Sequence, residues 1–201
     1  QTIVPDQSIT VLSAGCAVGK KEGEGPLRQY FDHIDTDDTF GQDSWENAEI
    51  AMQKCALSQA LDKAALTAGQ LDWLFAGDLL NQCVCSSFAA RNLSLPFFGL
   101  YGACSTMGEG LCLSSLVLDG GGGQRAAVLS SSHFCSAERQ YRTPLEYGCQ
   151  RTPTAQWTVT GSGAVILSRC GTGPRITHIT PGKIVDKGIR DTNNMGAAMA
   201  P

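Results

Sequence analysis

The stretch that decides the fold is LYGACSTMGEGLCLSSLVL, residues 100–118. It follows a short apolar run, residues 95–100, which predicts a buried strand. From Cys104 to Leu118 the only charged residue is Glu109, and four glycines follow at 120–123. A surface helix carries a charged face. The composition therefore predicts a buried helix, Cys104–Leu118, that is covered on nearly every side.

Cys104 stands where the predicted strand turns into the predicted helix. The amide groups of a first helical turn lack partners within the helix, and with the helix dipole they favour a thiolate. A nucleophilic thiol needs this geometry. A buried structural cysteine explains the residue equally well, because free cysteine is among the most buried residue types. The sequence leaves both interpretations open.

Composition excludes several classes of protein. Fifteen basic and nineteen acidic residues in 201 give a net charge of −4 without a basic patch, which argues against nucleic-acid binding. No apolar stretch reaches the roughly 20 residues of a membrane span, and no signal peptide is expected. The nine cysteines lack the spacing of a zinc or redox site, since the only close pair is Cys83 and Cys85. We expect one domain with reduced thiols, no metal and no cofactor.

Strands and helices alternate along the first two thirds of the chain. The predicted strands are Ser8–Ala14, Leu71–Gly77, 95–100 and Arg125–Ser131, and the predicted helices are Trp45–Ala68 with Ser44 as its N-cap, Ser86–Leu93 and Cys104–Leu118. Such alternation is typical of a parallel sheet covered by helices on both faces. Further on, Thr158–Ser168 and Arg175–Lys187 predict an antiparallel hairpin at one sheet edge. We therefore expect an α/β fold with a mostly parallel sheet of about five strands.

Polar residues follow two of the predicted strands. Asp78, Asn81 and Gln82 come after Leu71–Gly77, and His133 comes after Arg125–Ser131. In open α/β sheets, ligands bind beyond the carboxyl ends of the strands. We expect these side chains to face one cleft with Cys104, although a loop histidine with a local hydrogen bond explains His133 equally well.

Six stretches in a fixed order point to a known family. They are AVGKKEGEGPL at 17–27, AGDLLNQ at 76–82, YGACST at 101–106, SSHFCSAERQYRTPLEYG at 131–148, TVTGSGAVILS at 158–168 and MGAAMAP at 195–201. Together they closely resemble the stage V sporulation protein AD family of endospore formers, which has a thiolase-like fold. The resemblance implies that residues 1–201 form a thiolase-like N-terminal domain, with the second half of the family fold absent.

The resemblance also implies a function. It is that of a non-catalytic sporulation protein that binds dipicolinic acid (pyridine-2,6-dicarboxylate), free or as its calcium chelate, and supports its uptake into the developing spore. The implied partners are other membrane proteins of the same sporulation operon and a second copy in a homodimer. The implied location is peripheral, on the cytoplasmic face of the forespore or spore inner membrane.

The resemblance leaves two alternatives open. One is a thiolase- or ketoacyl-synthase-type acyltransferase that uses Cys104, which aligns with the thiolase nucleophile. In that superfamily the residues that handle protons come from the second half, so we expect no enzymatic activity from these residues. The other is a scaffold with a vestigial cleft, which assembles membrane partners.

The implied ligand determines which side chains should bind it. Dipicolinate is a planar dianion, and arginine binds carboxylates with two parallel hydrogen bonds. Arg139 and Arg142 follow His133 closely in the sequence. The expected ligand-binding residues are Cys104, His133, Arg139, Arg142, Asp78 and Asn81.

Overall fold

A mixed β-sheet with helices on both faces forms the framework. The computed structural model describes residues 1–80, 83–141, 158–191 and 196–197. Its strands are β1 (Ile9–Val18), β2 (His33–Ile34), β3 (Trp73–Gly77), β4 (Phe97–Gly99), β5 (Arg125–Ser132), β6 (Gly161–Ser168) and β7 (Arg175–Ile176). Its α-helices are α1 (Lys20–Gly23), α2 (Trp45–Lys63), α3 (Val84–Ala90), α4 (Thr106–Asp119) and α5 (Phe134–Tyr141).

The strand order within the described residues is β2-β1-β6-β5-β3-β4, with β7 paired to β1. The strands β5, β3 and β4 are parallel, as expected. The strand β6 lies in the middle of the sheet, antiparallel to both β1 and β5. The predicted edge hairpin is therefore wrong, because β6 pairs with two distant strands and β7 pairs with β1 instead of β6.

Alternate residues of the strands form two cores. Leu74 and Ala76 of β3 face α2, together with Met52 and Ala56 of that helix. Phe75 faces the opposite side of the sheet, where it joins the cluster that α4 covers. This period of two residues places one helical layer on each face of the sheet.

The sequence predicts a first strand that ends at Ala14, but β1 continues through Gly15. A Cβ atom at this position would lie 2.5 Å from both the Ala56 carbonyl oxygen and the Ala60 amide nitrogen. The absence of a side chain thus lets the backbone of α2 rest directly on β1. The strand continues to Val18, where it pairs with Gly161 of β6.

The helix α2 begins where the sequence predicts and ends earlier. The hydroxyl of Ser44 accepts a hydrogen bond from the Asn47 amide at 3.2 Å, as an N-cap does. The helix ends at Lys63, and Ala65 adopts a left-handed φ of 53°. The sequence predicts that the helix ends at Ala68, but Ala68–Gln70 form a separate 3₁₀ turn.

The predicted buried helix exists as α4, but only its sheet-facing side is buried in this chain. Gly110 lies against β5, where an added Cβ would be 2.5 Å from Val128 Cγ1. Met107 and Leu111 are half-buried, and Leu113 is 38% exposed. The low charge of this helix therefore does not mean that every side is covered within these residues.

The strand before this helix, β4, is an exposed edge and not a buried strand. It pairs with β3 on one side only, within the part of the chain that the structure describes. Phe98 remains 47% exposed, although its ring stacks on Phe75 with the centroids 5.1 Å apart. A run of apolar residues thus marks a strand here but does not indicate how many neighbours it has.

Candidate functional site

Cys104 lies in an exposed 3₁₀ turn, Ala103–Ser105, directly before α4. The Ser105 hydroxyl donates to the Gly102 carbonyl at 2.6 Å, and the Thr106 hydroxyl donates to the Ala103 carbonyl at 2.9 Å. Ala103 itself has a φ of 47° in the left-handed region, which is unfavourable for a residue with a side chain. The turn therefore presents Cys104 at the surface on a strained and hydrogen-bonded backbone.

A carboxylate faces the same turn. A Cβ atom on Gly102 would lie 2.6 Å from Oε2 of Glu109, so the missing side chain leaves room for this carboxylate. Glu109 sits in the first turn of α4, where the helix dipole favours a negative charge. Any anionic ligand at this turn would therefore approach close to Glu109.

The turn meets the carboxyl end of β3. An added side chain at Gly77 would overlap the Leu100 carbonyl oxygen and lie 2.6 Å from Thr106 Cγ2. Gly77 is also in register with Ser130 of β5, so the ends of these two strands lie side by side. Asp78 and the Cys104 turn thus share one edge of the sheet, and His133 follows the neighbouring strand.

Asp78 is buried and holds the start of α3. One oxygen of its carboxylate accepts from the Ser86 amide at 2.8 Å and the Ser86 hydroxyl at 2.7 Å. The other oxygen accepts from the Leu80 amide at 3.0 Å. Both carboxylate oxygens therefore have hydrogen-bond partners within the chain. Asp78 has a structural role that its position in the sequence did not indicate.

His133 is completely buried, and both of its ring nitrogens are engaged. Nδ1 accepts from the Cys135 amide at 3.2 Å, so Nε2 carries the proton and donates to the Asp38 carbonyl at 2.7 Å. The ring packs against the rings of Trp45 and Phe134, with centroids 5.3 Å and 5.5 Å away. Burial lowers the pKa of His133, with a smaller opposing effect from Asp38. The ring therefore fixes the loop between β2 and α2 to the end of β5.

The remaining expected site residues lie at the limit of what the structure describes. Asn81, Gln82 and Arg142 fall outside the described residues. The backbone of Arg139 lies within α5. Their part in a ligand site stays a prediction.

A buried polar cluster near these strand ends was missed by the sequence analysis. Its carboxyl group belongs to Glu49, which accepts from Ser131 at 2.7 Å and from Ser136 at 3.0 Å. Gln53, one turn further along α2, donates to Ser131 at 2.6 Å and to Ser86 at 3.1 Å. The signal available in the sequence was the spacing of Glu49 and Gln53, which puts both on the α2 face that also carries Met52 and Ala56.

The described residues contain neither a cluster of metal ligands nor a membrane-spanning helix. No group of three or more acidic, histidine and cysteine side chains is arranged to hold a metal ion among them. No helix in the described ranges is long and apolar enough to cross a membrane.

Comparison with known proteins shows the family to which this chain belongs. The model of one family, stage V sporulation protein AD, matches residues 1–201. The chain belongs to the stage V sporulation protein AD family. Its relative of that name in Bacillus subtilis (strain 168) is 47% identical over 201 residues, which are 100% of this chain and 60% of the relative. The chain thus spans less than two thirds of the length of that relative.

Solved structures establish the fold of this family member. The 3-oxoacyl-[acyl-carrier-protein] synthase III of Aquifex aeolicus VF5 matches with a TM-score of 0.56 and 14% identity, over 82% of this chain and 55% of that protein. The tetronic acid condensing enzyme AbyA1 matches with a TM-score of 0.55 and 22% identity, over 83% of this chain and 56% of that enzyme. Identities this low establish the fold alone, and the predicted thiolase-like α/β fold is confirmed.

Proposed function

We propose that the intact protein binds dipicolinic acid without catalysis and supports its uptake into the developing spore. The observation that carries the proposal is the exposed Cys104 turn at the carboxyl end of β3, in a chain of this sporulation family. Clefts beyond the strand ends of α/β sheets bind small ligands, and the first turn of a helix such as α4 favours anions. The amide end of α4 is the part of this position that would attract a carboxylate of the ligand.

The surroundings of His133 argue against its acting as a base for Cys104. A thiol nucleophile is activated by an adjacent base with a free ring nitrogen. Both nitrogens of His133 are occupied, by the Asp38 carbonyl and the Cys135 amide. In this arrangement His133 does not take a proton from Cys104. An acyltransferase would have to obtain its base elsewhere.

The charge of Glu109 bears on the form of the ligand. Its carboxylate faces the Cys104 turn, where a free dianion would be repelled. The calcium chelate carries less negative charge than the free dianion. This repulsion favours the chelate over the free dianion. In either form, Arg139 and Arg142 are the cationic groups proposed to contact the carboxylates of the ligand.

Calorimetry on the intact protein tests the ligand site. We expect Arg139→Ala or Arg142→Ala to weaken dipicolinate binding about tenfold or more, because a hydrogen bond to a charged group contributes about 1.5–3 kcal/mol. Cys104→Trp should block the site, whereas Cys104→Ala should have a smaller effect. Arg91→Ala, a surface change on the face of Phe88, is the matched control.

Two results would contradict this proposal. One is unchanged affinity in Arg139→Ala, Arg142→Ala and Cys104→Trp, which would place the ligand elsewhere. The other is turnover of an acyl-CoA substrate that disappears in Cys104→Ala, which would favour the acyltransferase alternative. Both experiments use the intact protein, and the binding measurements are made with free dipicolinate and with its calcium chelate.

We further propose that the protein forms a homodimer and lies peripherally at the inner membrane of the forespore or spore, with membrane proteins of its operon as partners. The outer edge of β4, which has no partner among the described residues, and the exposed Phe98 and Tyr101 support pairing with a second copy.

Sedimentation of the intact protein tests the dimer. We expect a dimer in the unmodified protein and a monomer after Phe98→Lys, because the added charge would lie on the pairing edge. Phe88→Lys, at another exposed phenylalanine, is the control and should leave the dimer intact. A monomer in the unmodified protein, or a dimer that survives Phe98→Lys, would contradict pairing through β4.

A further inference from the structure

Glu49 is a carboxyl group buried without a cation. Its side chain is 1% exposed, and it forms no ion pair within the described residues. Its partners are the hydroxyls of Ser131 and Ser136 and the thiol of Cys85, which lies 3.6 Å from Oε2. Burying an ionised carboxylate with neutral partners alone is unfavourable, and such a group tends to keep its proton.

Gln53 links this carboxyl group to that of Asp78. The Ser131 hydroxyl donates to Glu49, and the Ser86 hydroxyl donates to Asp78. Each hydroxyl has one proton, so both must accept from the amide nitrogen of Gln53. The amide oxygen of Gln53 is left buried without a partner in the described residues. The chain of hydrogen bonds therefore connects α2, α3 and the end of β5.

The bonds around Ser136 accommodate a protonated Glu49. The hydroxyl of Ser136 lies 3.0 Å from Oε2 of Glu49 and 3.2 Å from the carbonyl oxygen of His133. When Glu49 is neutral, Oε2–H donates to Ser136, and the Ser136 hydroxyl donates to the His133 carbonyl. When Glu49 is ionised, its proton goes to solvent and the Ser136 hydroxyl must turn to Oε2. The contact between Ser136 and the His133 carbonyl is then lost.

The charged and titratable groups around Glu49 favour the neutral form. Burial raises the pKa of Glu49 to about 7, and the negative charge of Asp78 adds to the rise. Cys85, facing it from α3, has a pKa raised by burial and by Glu49, so it stays a neutral thiol. His133 at the start of α5 is neutral and directs its ring towards Asp38. Glu46, one turn earlier on α2, contributes its backbone carbonyl, which accepts from the Cys85 thiol at 3.7 Å.

We propose that Glu49 is a proton-sensitive latch that holds α3 and α5 against α2, closed when Glu49 is protonated and loosened when it ionises. Ionisation places a second negative charge in a buried junction that already contains Asp78. The hydroxyls of Ser131 and Ser136 then donate the main hydrogen bonds to the ionised carboxylate of Glu49. The latch is independent of the dipicolinate proposal, because it concerns only contacts within the chain.

Hydrogen exchange of the intact protein tests the latch. We expect protection factors in α3 and the first turn of α5 to fall about tenfold or more between pH 6 and pH 8.5, because the opened carboxyl group binds its proton more weakly. Glu49→Gln should keep protection high at both pH values, since its amide reproduces the neutral acid. Glu46→Gln, which removes a charge from the same helix, should retain the pH dependence.

A second measurement needs no variant. Carbon-13 detection of the Glu49 carboxyl in the unmodified protein should follow a titration near neutral pH. Titration near 4.5, the ordinary value for glutamate, would overturn the proposal. Equal pH dependence of protection in the unmodified protein and in Glu49→Gln would also overturn it.

Discussion

Gly15→Ala is expected to lower the free energy of unfolding by about 3 kcal/mol or more. The new Cβ would lie 2.5 Å from two backbone atoms of α2, the Ala56 carbonyl oxygen and the Ala60 amide nitrogen. Backbone atoms within a helix cannot rotate away as the end of a side chain can. The helix must move off β1 as a unit, which also disturbs the core formed by Met52 and Ala56.

Denaturant unfolding measures this change as a lower midpoint at an unchanged slope. Gly69→Ala is the matched control, because no atom lies within 4 Å of the position that its Cβ would occupy. We expect the control to alter the free energy of unfolding by less than about 0.5 kcal/mol. A loss at Gly15 no larger than that at Gly69 would contradict the close contact between β1 and α2.

Asp78→Ala is expected to have a comparable effect, about 3–5 kcal/mol. The substitution removes the acceptor of three hydrogen bonds, from the Leu80 amide and from the amide and hydroxyl of Ser86. Ser86 is completely buried, so its amide and hydroxyl would lose this partner out of reach of water. Thermal unfolding of the variant and the unmodified protein checks the loss.

The Asp78 experiment also separates two roles for this residue. A carboxylate kept only to bind a ligand leaves the free protein equally stable, or more stable, when it is removed. Asp62→Ala, at an exposed position on α2, is the control and should change stability by less than about 0.5 kcal/mol. A loss below about 1 kcal/mol in Asp78→Ala would mean that the hydrogen bonds from Leu80 and Ser86 to Asp78 contribute little to the free energy of unfolding.

Local sequence signals predicted the elements of this fold well. Ser44 marks the start of α2 because its hydroxyl caps a free amide, and the apolar run before Asp78 marks β3. These features depend on neighbouring residues, which a single sequence displays directly. The fold class followed from the alternation of such elements and from the resemblance to a family.

Long-range pairing was not predictable in the same way. The pattern of residues 158–168 indicates a strand, but nothing local tells that β6 lies between β1 and β5. In the same way, the apolar run that forms β4 does not reveal that one of its edges lacks a partner in the part of the chain that the structure describes. Such features depend on partners far along the chain, and the period of two residues is the same for edge and central strands.

Part of the site was predictable, and part was not. Residues that follow strand ends, such as Asp78 and His133, do lie at the carboxyl edge of the sheet, as the topology of an α/β fold requires. The partner of His133 was not foreseen, because the Asp38 carbonyl belongs to a backbone segment 95 residues away in the sequence. The partner of Asp78 lies only eight residues further on, but no local pattern indicates that the carboxylate turns back to accept from the Ser86 amide. Glu49 escaped notice because an acidic residue within a helix is ordinarily at the surface.

The central position of β6 determines the order in which the chain can fold during its synthesis. The sheet cannot close until the ribosome has made Ser168, because among the described strands β1 joins β5 only through β6. From the synthesis of Ser132 until that moment, a few seconds at roughly 5–20 residues per second, the facing edges of β1 and β5 are unpaired. Contacts between β1 and β6 also give the fold a high contact order, which slows folding. During that interval the two unpaired edges can pair with other chains, which makes the nascent chain prone to aggregation.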